Sequence, residues 1–167
     1  MKRYALAALL LAVIAWDAHA ATLIGRVVAV GDGDTVTVLT GQHRQFKIRL
    51  SGIDAPEKKQ AFGSYARDKL AQHVAGQSVV IEWSKTDRYG RILGKVEIDG
   101  EDINLTQVRE GSAWVYTRYL RELAPADRER YVAAQRLARA QHRGLWRDAT
   151  AQPPWQWRRQ RRPVRPD

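Results

Sequence analysis

Between Val27 and Leu50 the chain alternates short strand-like runs with tight-turn dipeptides. Val27 to Val30 is apolar, and Asp32-Gly33 signals a hairpin turn. Thr35-Val36-Thr37-Val38 then alternates, and Gly41-Gln42 turns the chain again. In the next run Phe46, Ile48 and Leu50 share one face, while Lys47 and Arg49 share the other. A chain that begins this way must build a sheet and bury one side of it.

The middle and later parts of the chain supply the cover. Phe62, Tyr65, Ala66, Leu70 and Val74 fall at helical spacing, with Gly76 placed to close that helix. Ser78 to Trp83 and Arg91 to Ile98 return to strand, the second ended by an Asp99-Gly100 turn. Asp102 can cap a short helix through Val108, closed by Gly111. Pro125 can start a last helix carrying Tyr131, Ala134, Leu137, Ala138 and Gln141, with Gly144 beyond its end. The expected fold is α+β and mainly β: a five-stranded OB-like barrel packed with three α-helices, an architecture used to bind nucleic acids.

Composition divides the chain into three zones. Residues 1–20 have the layout of a secretory signal peptide: Lys2 and Arg3, an apolar run from Tyr4 to Trp16, then Ala18-His19-Ala20. The alternative, a retained membrane anchor, meets a run shorter than the roughly 20 apolar residues a span requires. Residues 21–148 form the expected single domain. Residues 149–167 are rich in Pro, Arg and Trp without periodicity, and read as a disordered basic tail. Export normally permits disulfides, yet the chain has no cysteine, so the core must hold the fold with or without a bound ion. The net charge of +10 favours a polyanionic partner, whether nucleic acid, anionic lipid or acidic glycan.

Three segments carry chemistry. In Asp32-Gly33-Asp34-Thr35, Asp34 stands at the mouth of a strand, where it can hold a metal; an ordinary hairpin turn accounts for the same residues. In Arg49-Leu50-Ser51-Gly52-Ile53-Asp54-Ala55-Pro56-Glu57, two carboxylates bracket a proline. One can bind metal while the other takes a proton from water, or the pair can be a helix cap followed by a first-turn Glu. In Asp87-Arg88-Tyr89-Gly90-Arg91, Arg91 opens a strand and can fork onto phosphate oxygens, or belong to a solvated basic turn. The histidines do not pair at metal-ligand spacing.

Taken together and in this order, these segments resemble the thermonuclease family, the staphylococcal-nuclease-like enzymes, from about Thr22 to Trp146. Asn104 ahead of Val108-Arg109-Glu110-Gly111, and Arg143-Gly144-Leu145-Trp146, agree with it. The resemblance implies a secreted calcium-dependent endonuclease that hydrolyses phosphodiester bonds of DNA and RNA and leaves 3′-phosphates. It implies one Ca²⁺ ion held by Asp34, Asp54 and the backbone carbonyl of Ala55, with Asp32 supporting the site through water. Glu57 would be the general base, Arg49 and Arg91 the catalytic arginines, and Arg88 and Tyr89 substrate contacts. A second family tyrosine would fall near Tyr116 to Tyr119. Two departures are visible: Ala55 stands where the family often has Thr, and the loop after Glu57 is short. The rival reading is a non-catalytic OB-type module that binds nucleic acid, which would be expected to lack the Arg49, Glu57 and Arg91 set. The chain is expected to act as a monomer, exported to the periplasm or beyond. Its tail is expected to meet nucleic acid, anionic lipid or envelope polymer, or only solvent.

Overall fold

The computed structural model describes residues 21–161, so the expected signal peptide at 1–20 and the last six residues of the expected tail lie outside the described residues. The chain runs β1 (Ala21–Asp32), β2 (Thr35–Leu39), β3 (Gln45–Leu50), β4 (Ile53–Asp54) and α1 (Gly63–Val74). It continues through β5 (Ser78–Thr86), β6 (Ile92–Ile98), β7 (Glu101–Asp102) and α2 (Ile103–Arg109). β8 (Trp114–Val115), α3 (Pro125–Ala140) and α4 (Pro154–Gln160) complete it. Among the described residues no helix is long and apolar enough to cross a membrane.

β1 makes the barrel possible. Its first half pairs antiparallel with β5, from Ala21 opposite Trp83 to Arg26 opposite Ser78. Its second half pairs with β2, and register shifts at Val27/Ala29 and Val30/Asp32 interrupt that ladder. Such bulges bend a strand and increase its twist, so one strand can serve two neighbours around a corner. The sheet closes where β3 and β6 pair in parallel, Ile48 with Ile92 and Leu50 with Gly94. Five strands thus close in the order β1-β2-β3-β6-β5, with β7 an addition beside β6. The alternating runs point their apolar residues inward: Val36, Val38, Ile48, Leu50, Ile81 and Val96 are all buried. Closure leaves few open edges, which suits a barrel that cannot rely on disulfides.

α1 and α2 cover the barrel as the helical spacing predicts. Asp102 caps α2 by accepting the Leu105 amide at 2.9 Å, and also accepts the Tyr131 hydroxyl at 2.9 and 3.0 Å from its two oxygens. One carboxylate therefore fixes the start of α2 and its packing on α3. Asn104 is wholly buried in α2. It accepts the Val96 amide at 3.1 Å and donates to the carbonyls of Ser51 and Gly94 at 3.0 Å each. Asn104→Ala strands the Val96 amide and the Ser51 carbonyl, and is expected to cost on the order of 2–3 kcal/mol in urea unfolding. A loss below half that figure would mean water replaces the amide.

Within its described part, the tail expected to be disordered at residues 149–167 contains a helix. Pro154–Gln160 form α4, giving four α-helices among the described residues rather than the expected three. Pro154 occupies the first helical turn, where its missing N–H costs nothing, and its side chain is buried. Trp155 packs on the apolar cluster of Trp114, Ala138, Leu145 and Trp146. Composition favours disorder; burial of tryptophan and proline on a ready-made apolar surface overrides it.

Candidate active site

The carboxylates expected to do chemistry arrive from separate elements. Asp34 stands between β1 and β2, its position set by the Asp32-Gly33 turn. Asp32 Oδ1 accepts the Asp34 amide at 3.2 Å, a direct contact that supports Asp34. Gly33 is needed for closeness: a Cβ there would lie 2.6 Å from the Cβ atoms of both Ala55 and Ala66. Its carbonyl accepts Gln107 Nε2 at 2.9 Å, and the same nitrogen reaches the Ala66 carbonyl at 3.1 Å. The hairpin and α1 are thereby tied to α2 beneath the site.

Asp54 arrives from the other direction. After β3 the chain turns through Gly52, whose φ of +75° is a left-handed conformation that glycine adopts without strain. That turn brings Asp54 back to the side chain of Arg49. Arg49 Nη2 lies 2.9 Å from Asp54 Oδ1 and 3.1 Å from Asp34 Oδ2. Its Nη1 donates to the carbonyls of Leu50 at 2.8 Å and Ile53 at 2.9 Å, so the guanidinium is fixed on both edges. Ala55 donates its amide to Asp34 Oδ2 at 2.6 Å. Hairpin turn and functional carboxylate are thus compatible at Asp32 to Asp34. The capping alternative at Asp54 is not what forms: α1 begins at Gly63 with no side-chain cap, and Asp54 spends its oxygens on arginines.

Burial dominates the electrostatics. It pushes the Asp34 carboxyl up to about 7, with Asp32 and Asp54 adding to the rise and Arg49 opposing it. Asp54 is also raised, by burial first, while Arg158 and Arg49 pull it down. Two shielded carboxylates sharing one arginine nitrogen form a site short of positive charge.

Glu57 sits at the open side of this cluster with its side chain 39 % exposed. Its amide is held by Gln60 Oε1 at 3.1 Å. An unexpected residue joins it to Asp54. Arg158, on α4, reaches Glu57 Oε1 at 2.7 Å, Asp54 Oδ2 at 2.7 Å and Asp54 Oδ1 at 3.2 Å. The signal for this helix is present in Pro153-Pro154-Trp155, a proline-led helix start with an aromatic anchor. No local pattern points to the site 101 residues earlier in the chain.

The remaining expected residues make other contacts. Arg91 is held by Asp87: its Nε donates to Asp87 Oδ2 at 2.8 Å and its Nη2 approaches the same oxygen at 2.7 Å. Burial raises the Asp87 carboxyl, but hydrogen bonds from Arg91 and the Tyr89 amide outweigh it and hold the group below its ordinary value. Among the described residues no hydrogen bond or ion pair joins Arg91 to Asp34, Asp54 or Glu57. Arg88 and Tyr89 are exposed on the turn between β5 and β6, with Arg88 4.8 Å from the Tyr89 ring centre. Of the two tyrosines near the expected second position, Tyr116 is stacked on Trp155 at 5.4 Å and 10° and packs edge-on against Tyr119. Among the described residues no group of three or more His, Cys, Asp or Glu side chains forms a metal-sized cluster. A cation here would therefore rest on two aspartates, with backbone oxygen and water making up the remainder.

A closed OB-like barrel with carboxylates and arginine gathered at one rim defines an enzyme built for phosphodiesters. The family model described as staphylococcal nuclease homologue matches residues 47–148. The chain is 44% identical over 151 residues to an Escherichia coli protein named uncharacterized endonuclease, covering 90% of this chain and 94% of that one. It is 41% identical over 160 residues to a Shigella flexneri protein named micrococcal nuclease, covering 90% and 87%. A third relative, the Escherichia coli protein ParB, is 40% identical over 165 residues, covering 93% and 88%. The chain belongs to the staphylococcal nuclease family and is a thermonuclease-like endonuclease whose substrates are nucleic acids.

Proposed function

We propose that this nuclease is an exported, calcium-dependent enzyme that hydrolyses DNA and RNA and leaves 3′-phosphates. The carrying observation is the convergence of Asp34, from the β1–β2 turn, and Asp54, from β4, on a single nitrogen of Arg49. A non-catalytic binding module has no use for two buried carboxylates in a basic protein, since they repel the phosphates it must hold.

The donor set fits a hard divalent ion. All the donors are oxygen, and burial leaves Asp34, with Arg49 as its one cationic partner among the described residues, in want of a cation. Asp34, Asp54 and the Ala55 carbonyl would hold Ca²⁺, which when bound would offset phosphate charge and polarise water. Glu57, half-open to solvent beside them, takes the proton of the attacking water. The water oxygen bonds to phosphorus, the bond to the 5′-oxygen breaks, and that oxygen takes a proton from solvent as it leaves. Arg49 faces the charge that develops on the phosphoryl oxygens, its orientation fixed in advance by two backbone carbonyls. Arg91 joins it once phosphate competes with Asp87. Asp32 holds Asp34 through its amide, and Arg88 and Tyr89 line the approach on the neighbouring turn. Export to the periplasm or beyond rests on the leader at residues 1–20, and a monomer is consistent with one complete site in one chain. Digestion of double-stranded DNA, single-stranded DNA and RNA, with and without calcium and with end-group analysis, tests the whole reading. Intact nucleic acid in millimolar calcium would end it.

The raised Asp34 carboxyl sets a pH dependence. Below about 7 it keeps its proton, and a metal needs the carboxylate, so calcium binding must weaken as pH falls. Calorimetry in buffers of different ionisation enthalpy is expected to show release of about one proton per ion at pH ~6 and close to none at pH ~9. Proton release independent of pH would show that Asp34 is already ionised before the ion binds.

A further inference from the structure

We propose that α4 is a plug over the catalytic site, and that its Arg158 guanidinium and the divalent ion exclude each other at Asp54. The inference rests on the assignment of Asp54 as a metal ligand.

Arg158 engages both oxygens of Asp54, at 2.7 and 3.2 Å, and Glu57 as well, at 2.7 Å. With Arg49 on Asp54 Oδ1, the carboxylate has a cationic donor on each oxygen. A divalent ion taking either oxygen would meet a guanidinium already there, both charges positive. Asp54's side chain is only 1 % exposed, so solvent does little to soften that repulsion. The contact to Glu57 matters separately, because it occupies the oxygen that must receive a proton from water.

The docking of α4 is specific yet limited. The carbonyl of Gln152 accepts Gln60 Nε2 at 2.6 Å, and the same Gln60 holds the Glu57 amide. Trp155 stacks on Tyr116 at 5.4 Å and meets Trp114 edge-on at 5.9 Å. Against this, α4 has seven residues and no side-chain cap, so it is too short to persist by itself. An open cleft between Phe62, Trp114, Leu145 and Trp157 remains beneath it. A segment held by a few anchors and one salt-bridge fork can be lifted by a competing charge. The plug then keeps the enzyme closed where calcium is scarce, and opens where it is plentiful.

The test compares calcium binding by the full chain and by Arg158→Gln, using calorimetry, with Arg159→Gln as the control. Arg159 is exposed on the same helix, and its loss removes the same charge without touching the carboxylates. Arg158→Gln is expected to bind calcium roughly three- to tenfold tighter than wild type, because the competent state no longer has to be freed; Arg159→Gln is expected to stay within twofold. Hydrogen exchange supplies a second readout: calcium should speed exchange of the α4 amides in wild type, while Arg158→Gln exchanges fast without it. Equal or weaker calcium affinity in Arg158→Gln, or α4 protection untouched by calcium, overturns the plug and leaves the calcium site standing. Absence of calcium binding in all three proteins overturns both.

Discussion

Glu57→Gln is expected to lower kcat on plasmid DNA by roughly 10²- to 10⁴-fold, the range a positioned general base supplies. The variant isolates proton transfer. Glutamine has the size and shape of glutamate, can still accept from Arg158, and leaves the bond from the Glu57 amide to Gln60 intact. With its side chain 39 % exposed, Glu57 carries little of the fold, so the unfolding midpoint should barely move. An enzyme that keeps most of its rate would show that another group takes the proton.

Arg49→Ala is expected to damage both rate and stability, for separable reasons. The rate loss of roughly 10²- to 10³-fold reflects removal of a fixed donor facing the phosphate. The stability loss arises because buried Asp34 loses its guanidinium partner, while Asp54 keeps only Arg158, and amounts to about 3 kcal/mol in metal-free protein. Calcium should restore a large part of the stability and almost none of the rate, since an ion replaces charge without replacing the fork. Arg49→Lys should keep more of the stability than Ala and recover little activity, because an ammonium cannot serve two carbonyls and two carboxylates from one plane. Urea unfolding in chelator and in calcium, run beside the kinetics, separates the two effects. Equal rate recovery by lysine would reduce Arg49 to a point charge.

Much of the site is legible along the chain. The alternation at Phe46, Ile48 and Leu50 gives a strand with Arg49 on its polar side, and the turn signal at Asp32-Gly33 puts Asp34 at a strand mouth. Asp102 reads as a cap and caps α2. These are local facts, fixed by period, turn chemistry and capping over a few residues. Asn104 and Gln107 are harder. Two polar residues three apart on a short apolar helix look like a surface, but both are buried and hold the strands and turn under the site.

Strands, turns and the inventory of charged residues can be read from the amino-acid order, because each depends on neighbours a few positions away. Which charges meet is settled by long-range packing alone. The pairing of β2 with β3, which sets Thr35 opposite Arg49, and the turn at Gly52 bring Asp34, Arg49 and Asp54 together. The same holds for Arg158: nothing within its own stretch of arginines singles it out. Its place is set by where Trp155 finds an apolar surface to bury against, and burial energy depends on what the rest of the chain has already built.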